Sequence, residues 1–164
     1  MTQQKTLNFK KFFVTSGKGL SNTSKLNAFD QALVNARIHQ CNLVSVSSIL
    51  PPKATHIKHA QIPAGTITFC VLARKDGTEG ETISAGIAWT TCETKNRENY
   101  GIVAEDTGNT SNQQKIEKNL TNKLKEMAKA RKMKIKKIQT KITTIKKIPP
   151  KKYGTTIAAL VYTN

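Results

Sequence analysis

"IKKIQTKITTIKKI", residues 135–148, carries two periodicities at once. Its isoleucines stand three and four residues apart, as on a helix face, while Ile138, Thr140, Ile142 and Thr144 alternate as along one side of a strand. The β-branched content, the Pro149-Pro150 stop and a second β-branched run directly after it, "TTIAALVYT", decide for a strand. That choice fixes the last two elements of the chain as β, and the rest can be read outward from them.

Upstream lies the clearest element, a helix capped by Ser111 with Gln114 completing a capping box. Ile116, Leu120, Leu124 and Met127 repeat at spacings of four, four and three, and lysines cover the opposite face. Before it, strand signals fall at 42–50, 66–74, 82–92 and 100–105, with Asp76-Gly77 and Gly80 as a hairpin signal between the second and third. At the N-terminus, 6–16 reads as a strand ending at Gly17, and "GKGLSNTSKL" as a polar loop without the order of a phosphate-binding loop. A helix then opens at Asn27, with Asp30 three residues on. Phe29, Leu33 and Ala36 lie on one face with Ala32 beside them, and the helix ends near His39. The order βαββββαββ predicts an α+β protein of largely antiparallel sheets, with the helices on their outer faces.

The chain of 164 residues suits one domain spanning 1–164. No apolar run reaches the ~18 residues a membrane span needs, and "MTQQKTLNFKKFF" lacks the apolar core of a signal peptide, so the cytoplasm is the expected compartment. Cys41, Cys70 and Cys92 are odd in number and widely spaced, which predicts free thiols. His56 and His59 form an HxxH pair with no carboxylate or cysteine cluster near them. A solvated loop is the expectation there, and no metal site. Net charge is +17, and residues 112–152 hold fifteen Lys or Arg against Glu117 and Glu126. Such a block suits a nucleic acid or a solvated face. With Arg131 its single arginine and Tyr153 its nearest aromatic, the solvated face is preferred, because base reading and stacking use more of both.

"VSVSSILPP", residues 44–52, places Ser47 and Ser48 at the end of an apolar strand. A hydroxyl held about 3 Å from the preceding carbonyl carbon can attack its own chain. The amide becomes an ester, elimination cuts the chain and leaves dehydroalanine, and loss of ammonia leaves a pyruvoyl group. A donor near the Ser47 carbonyl must stabilise its developing charge, and Asn42 carries a suitable amide. Serine pairs at strand edges are common, so the dipeptide alone does not separate this chemistry from an ordinary strand end.

"LNAFDQALVNARIHQCNLVSVSSILPP", residues 26–52, closely resembles the processing region of the pyruvoyl-dependent arginine decarboxylases found mainly in archaea. "GETISAGIA" at 80–88 and "GIVAEDTG" at 101–108 are similar to further blocks of that family in the same order, and the helix "KEMAKARKMK" looks alike. The resemblance implies a four-layer α-β-β-α sandwich and cleavage between Ser47 and Ser48 into chains 1–47 and 48–164. It implies a covalent pyruvoyl cofactor made from Ser48, and a homotrimer of cut protomers with sites between neighbours. It assigns Asn42 to assisting the cut and leaves Ser47 as a new C-terminus lining the site. Asp30 is assigned to the substrate guanidinium, Leu33 to the wall of its pocket, and Glu105 to returning a proton once CO2 has left. The expected activity is conversion of arginine to agmatine through a Schiff base, whose conjugated carbonyl accepts the electron pair of the departing carboxylate. Glu105 is expected to be buried, which would favour its protonated form, with Asp106 adding to the effect. Arg37 stands where the family usually has glycine, which leaves histidine or another amino acid as an alternative substrate. A basic nucleic-acid-binding domain without chemistry is the alternative from another class.

Overall fold

The computed structural model describes residues 7–94 and 99–164. The chain runs β1 (Lys11–Ser21), α1 (Lys25–Asn35), β2 (Asn42–Ser45), β3 (Ile49–Leu50), β4 (Thr55–His56), β5 (Ile67–Gly77), β6 (Ile83–Glu93), β7 (Gly101–Gly108), α2 (Gln113–Ala130), β8 (Lys134–Ile135), β9 (Gln139–Ile145) and β10 (Tyr153–Thr163). The first sheet has the order β2-β5-β10-β1-β4. The second has β3-β7-β6, with β8 and β9 both pairing β6. All pairs are antiparallel except β1–β4 and β2–β5. Residues 139–145 are therefore a strand, as their β-branched content predicts.

Three apolar layers stack these elements into an α-β-β-α sandwich. Along β10, Ile157, Ala159 and Val161 face α1, while Ala158, Leu160 and Tyr162 face the second sheet. Along β6, Ala85, Ile87 and Trp89 face the first sheet, and Ala88 and Cys92 face α2. A strand buried on both sides needs apolar residues at every position, which is why "TTIAALVYT" shows no polar alternation. Ile116, Leu120, Leu124 and Ala128 seat α2 on its sheet with the helical period read from the sequence.

Several boundaries differ from expectation for identifiable reasons. "GKGLS" continues β1 instead of forming a loop. A Cβ on Gly17 or Gly19 would overlap the carbonyl oxygens of Ala32 and Ala28, so these glycines let the α1 backbone lie directly on the strand. Ser24, not Asn27, caps α1: its hydroxyl accepts the Asn27 N–H at 3.1 Å and donates to Asn27 Oδ1 at 2.6 Å. Asp30 consequently sits one turn inside the helix. Asn112, not Ser111, caps α2 through the Lys115 N–H at 3.1 Å. Asp76 and Gly77 do not turn a hairpin. They pair with Thr155 and Gly154 at the end of β5, and the chain then passes to the other sheet. The HxxH stretch is a solvated loop only in part: His56 ends β4 and, though exposed, stacks on Phe12 and meets Trp89 edge-on, while His59 lies in the loop that follows, half-buried against Phe13.

Both helices end in the same six-residue device. Ile38 N–H bonds Leu33 O and Arg37 N–H bonds Val34 O; Met133 N–H bonds Ala128 O and Lys132 N–H bonds Lys129 O. The residue after each cap is left-handed, with φ of 60° at Arg37 and 52° at Lys132. Glycine normally takes this position. Here a cation does, next to the negative end of the helix dipole.

Candidate active site

The stretch 42–50 is not one strand. Val46 N–H donates to Cys70 O at 2.9 Å, the last bond to the first sheet, and Val103 N–H donates to Ser48 O at 3.0 Å, the first bond to the second. Ser47 and Ser48 thus occupy the step between sheets. Ile49 N–H donates to Ser47 O at 3.0 Å, closing a three-residue γ-turn centred on Ser48. The Tyr162 hydroxyl, rising from the core between the sheets, donates to Ile49 O at 2.7 Å. Three consecutive carbonyls, those of Ser47, Ser48 and Ile49, are each held by a different donor. A backbone so fixed leaves little freedom at the Ser47–Ser48 bond, and the Ile49 N–H already polarises the Ser47 carbonyl.

Ser48 and Glu105 line one groove of about 480 Å³ between β7 and α2, with Lys123, Glu126, Met127 and Arg131 on its other walls. Glu105 is exposed in the single chain rather than buried; it lies where β7 runs on past β3, and among the described residues no further strand pairs that edge. Asp106 faces α2 instead. Its carboxylate takes the Lys123 ammonium at 2.7 Å and the Asn119 amide at 3.3 Å, so its charge is compensated by a cation.

The remaining predicted residues lie elsewhere. Asn42, at the start of β2, donates its amide to Gly65 O at 3.0 Å and not to the Ser47 carbonyl. Asp30 is exposed on α1, and Leu33 is packed into the core between α1 and the first sheet. Because α1 and α2 cover opposite outer faces, one chain brings Ser47, Ser48 and Glu105 into one neighbourhood but not Asp30 and Leu33. Around the step, Val44, Val46 and Ile49 stand about 40 % exposed and Ile67, at the start of β5 beside β2, 65 % exposed, an apolar margin.

Sequence inspection missed Tyr162, Val103 and the Ile49 N–H. The two amides are invisible to side-chain patterns. Tyr162 carries a signal in retrospect: a phenol on an otherwise apolar strand buries its ring only if the hydroxyl finds an acceptor. Burial pushes that phenol up to about 12, consistent with a neutral donor. The three cysteines are free, and burial raises the thiols of Cys70 and Cys92. Among the described residues no three His, Cys, Asp or Glu side chains converge as a metal site would, and no helix is long and apolar enough to cross a membrane.

The sequence model of the family described as pyruvoyl-dependent arginine decarboxylase matches residues 11–164. A protein named pyruvoyl-dependent arginine decarboxylase 2, from Methanosarcina mazei, is 40 % identical over 100 residues, covering 58 % of this chain and 54 % of that protein. Its namesake in Methanosarcina acetivorans is 38 % identical, again over 54 % of its length, so the chain matches about half of these two relatives. A pyruvoyl-dependent arginine decarboxylase of Methanopyrus kandleri is 33 % identical over 153 residues, covering 93 % of this chain and 96 % of its own.

Proposed function

The chain belongs to the pyruvoyl-dependent arginine decarboxylase family, and we propose that it cuts itself between Ser47 and Ser48 and then decarboxylates arginine to agmatine. The observation that carries this is the γ-turn: the carbonyl to be attacked belongs to the residue before the serine, and its oxygen is already bonded to Ile49 N–H. Ser48 Oγ adds to the Ser47 carbonyl carbon, and negative charge gathers on an oxygen that has a donor in place. The C–N bond breaks to give an ester. Loss of the Ser48 α-proton expels the Ser47 carboxylate and leaves dehydroalanine, and water then replaces ammonia to give the ketone. For Asn42 to assist, its amide exchanges the Gly65 carbonyl for that of Ser47 as charge develops.

The surroundings suit such a group. Residue 48 stays anchored after the cut through Val103 N–H and, one residue on, Tyr162, and it faces the groove that holds Glu105. The pyruvoyl carbonyl supplies an electron sink for the pair released with CO2. Glu105 lies on the same groove and serves as the acid that returns a proton to the substrate carbon. Ser47, as the new C-terminus, lines the margin. In this proposal Asp30 receives the guanidinium as a bidentate fork, and Leu33 backs that pocket. Because one chain separates these two from Ser48, the site is completed by a neighbour. The apolar margin of Val44, Val46, Ile49 and Ile67 is where a second copy docks, in a closed trimer. Unpaired thiols suit a reducing cytoplasm.

A denaturing mass spectrum of the purified protein tests the cut. Two polypeptides ending at 47 and beginning at 48 are expected, the larger blocked and reactive with hydrazines, whereas Ser48→Ala stays full length. A single unbroken wild-type chain overturns the proposal. CO2 release measured across amino acids tests the substrate, and activity on histidine without activity on arginine rejects arginine.

A further inference from the structure

β7 continues for six residues beyond its pairing with β3, which covers Gly101 and Ile102 alone. Past that point it has β6 on one side and an open edge on the other. In an antiparallel strand the N–H and C=O of one residue point to the same side, and alternate residues share that side. Val103 turns its N–H to Ser48 O, so Glu105 turns its backbone toward the same edge. The group that meets it there is not a strand. It is Lys123 of α2, whose ammonium donates to Glu105 O at 2.8 Å and to Asp106 Oδ1 at 2.7 Å. Asn119, one helical turn earlier on the same face, donates to Asp106 Oδ2 at 3.3 Å. The Asp106 side chain is 15 % exposed and that of Lys123 48 %, so the carboxylate side of the contact is the sheltered one. The apolar seam of Ile102 and Ala104 against α2 ends at this position, and a polar clamp takes over.

We propose that Lys123 is a positioning residue for Glu105: it stands in for the missing neighbour strand, fixes the backbone from which Glu105 reaches the groove beside Ser48, and compensates Asp106 so that its charge does not act on that groove. This rests on Glu105 as the proton donor. A shift of about 1 Å in a positioned group can cost about a hundredfold in rate, so a clamp on the donor's own carbonyl controls turnover through backbone position.

Lys123→Met keeps the stem and removes the ammonium; Lys123→Arg keeps the charge. The Met variant is expected to cut itself to the wild-type extent and to hold KM for arginine within about twofold, while kcat falls roughly 10- to 100-fold. The Arg variant recovers most of the loss. An unchanged kcat in Lys123→Met, or a loss that Lys123→Arg does not mend, overturns the proposal. Amide exchange needs no substrate: the Ala104 and Asp106 amides, which turn to β6, exchange at least about tenfold faster in Lys123→Met, with β10 amides unaltered. Equal exchange also overturns it. If the wild type releases no CO2 from arginine, the proposed reaction fails, and exchange alone decides whether Lys123 holds the strand.

Discussion

Replacing Tyr162 by phenylalanine removes one oxygen from the core between the sheets and should slow the cut. The ring keeps its packing, so little apolar burial is lost. Ile49 O, however, loses the donor at 2.7 Å, and at this part-buried position the loss costs about 1–2 kcal/mol, the lower part of the range for an unpaired acceptor. That carbonyl belongs to the residue whose N–H holds the Ser47 oxygen, so loosening it loosens the turn. If 1–2 kcal/mol of this reaches the geometry of attack, the cut slows about 5- to 30-fold. Cell-free synthesis of the uncut chain, followed by mass spectrometry as chain 1–47 appears, measures this, and urea unfolding of the uncut Ser48→Ala background measures stability. A variant that loses stability yet cuts at the wild-type rate refutes the link between Tyr162 and the turn. The same variant reports on alkali. The folded protein favours the neutral phenol, so its contribution is complete below the ordinary value of 10 and is lost as pH rises through about 12. Two pH units correspond to about 2–3 kcal/mol. Tyr162→Phe should lack this fall and keep the one from Cys70, whose thiol is raised from 9.0 to about 11.

Glu105→Gln should cut normally and release CO2 about 10²–10⁴-fold more slowly, measured under saturating arginine; an unchanged rate removes Glu105 from proton return. Arg37→Gly should raise stability by about 0.5–1 kcal/mol in urea unfolding, since a left-handed residue other than glycine costs about 1–2 kcal/mol and glycine's extra freedom when unfolded returns about half of that. Gly19→Ala should destabilise by about 3 kcal/mol or more, because its methyl meets the Ala28 carbonyl and α1 must lift from β1; a melting temperature equal to wild type contradicts this contact.

The layers were legible because burial writes periodicity into sequence. The spacing of Ile116, Leu120 and Leu124, and the unbroken apolar run in β10, each follow from which faces are covered. Boundaries were less legible where a glycine looked like an ending. Gly17 reads as a stop, yet it sits mid-strand because a helix backbone presses on it. The division of 42–50 between two sheets was invisible for a similar reason: Val44, Val46, Ile49 and Leu50 are equally apolar whichever sheet they join, and only hydrogen-bond partners distinguish them. At the site, Ser48 was singled out by its place in the sequence and Glu105 through blocks of resemblance, and these two line one groove. Asn42, Asp30 and Leu33 are placed apart in one chain, a separation that residue order does not encode. Glu105 lies exposed beyond the short reach of β3, and no side-chain pattern reveals where β3 stops.

Residues 11–45 are woven through the first sheet and do not hang from one end of it. β1 lies between β10 and β4 and pairs β10 over eleven positions, α1 covers that face, and β2 lies along β5. Under the proposed cut after Ser47, the two fragments would stay together by this weave. Unfolding then changes its order of reaction: a precursor that regained its shape by itself becomes two molecules that must find each other, and the melting point of the mature protein should rise with its concentration. The proposed cut would thereby make recovery after heating depend on dilution.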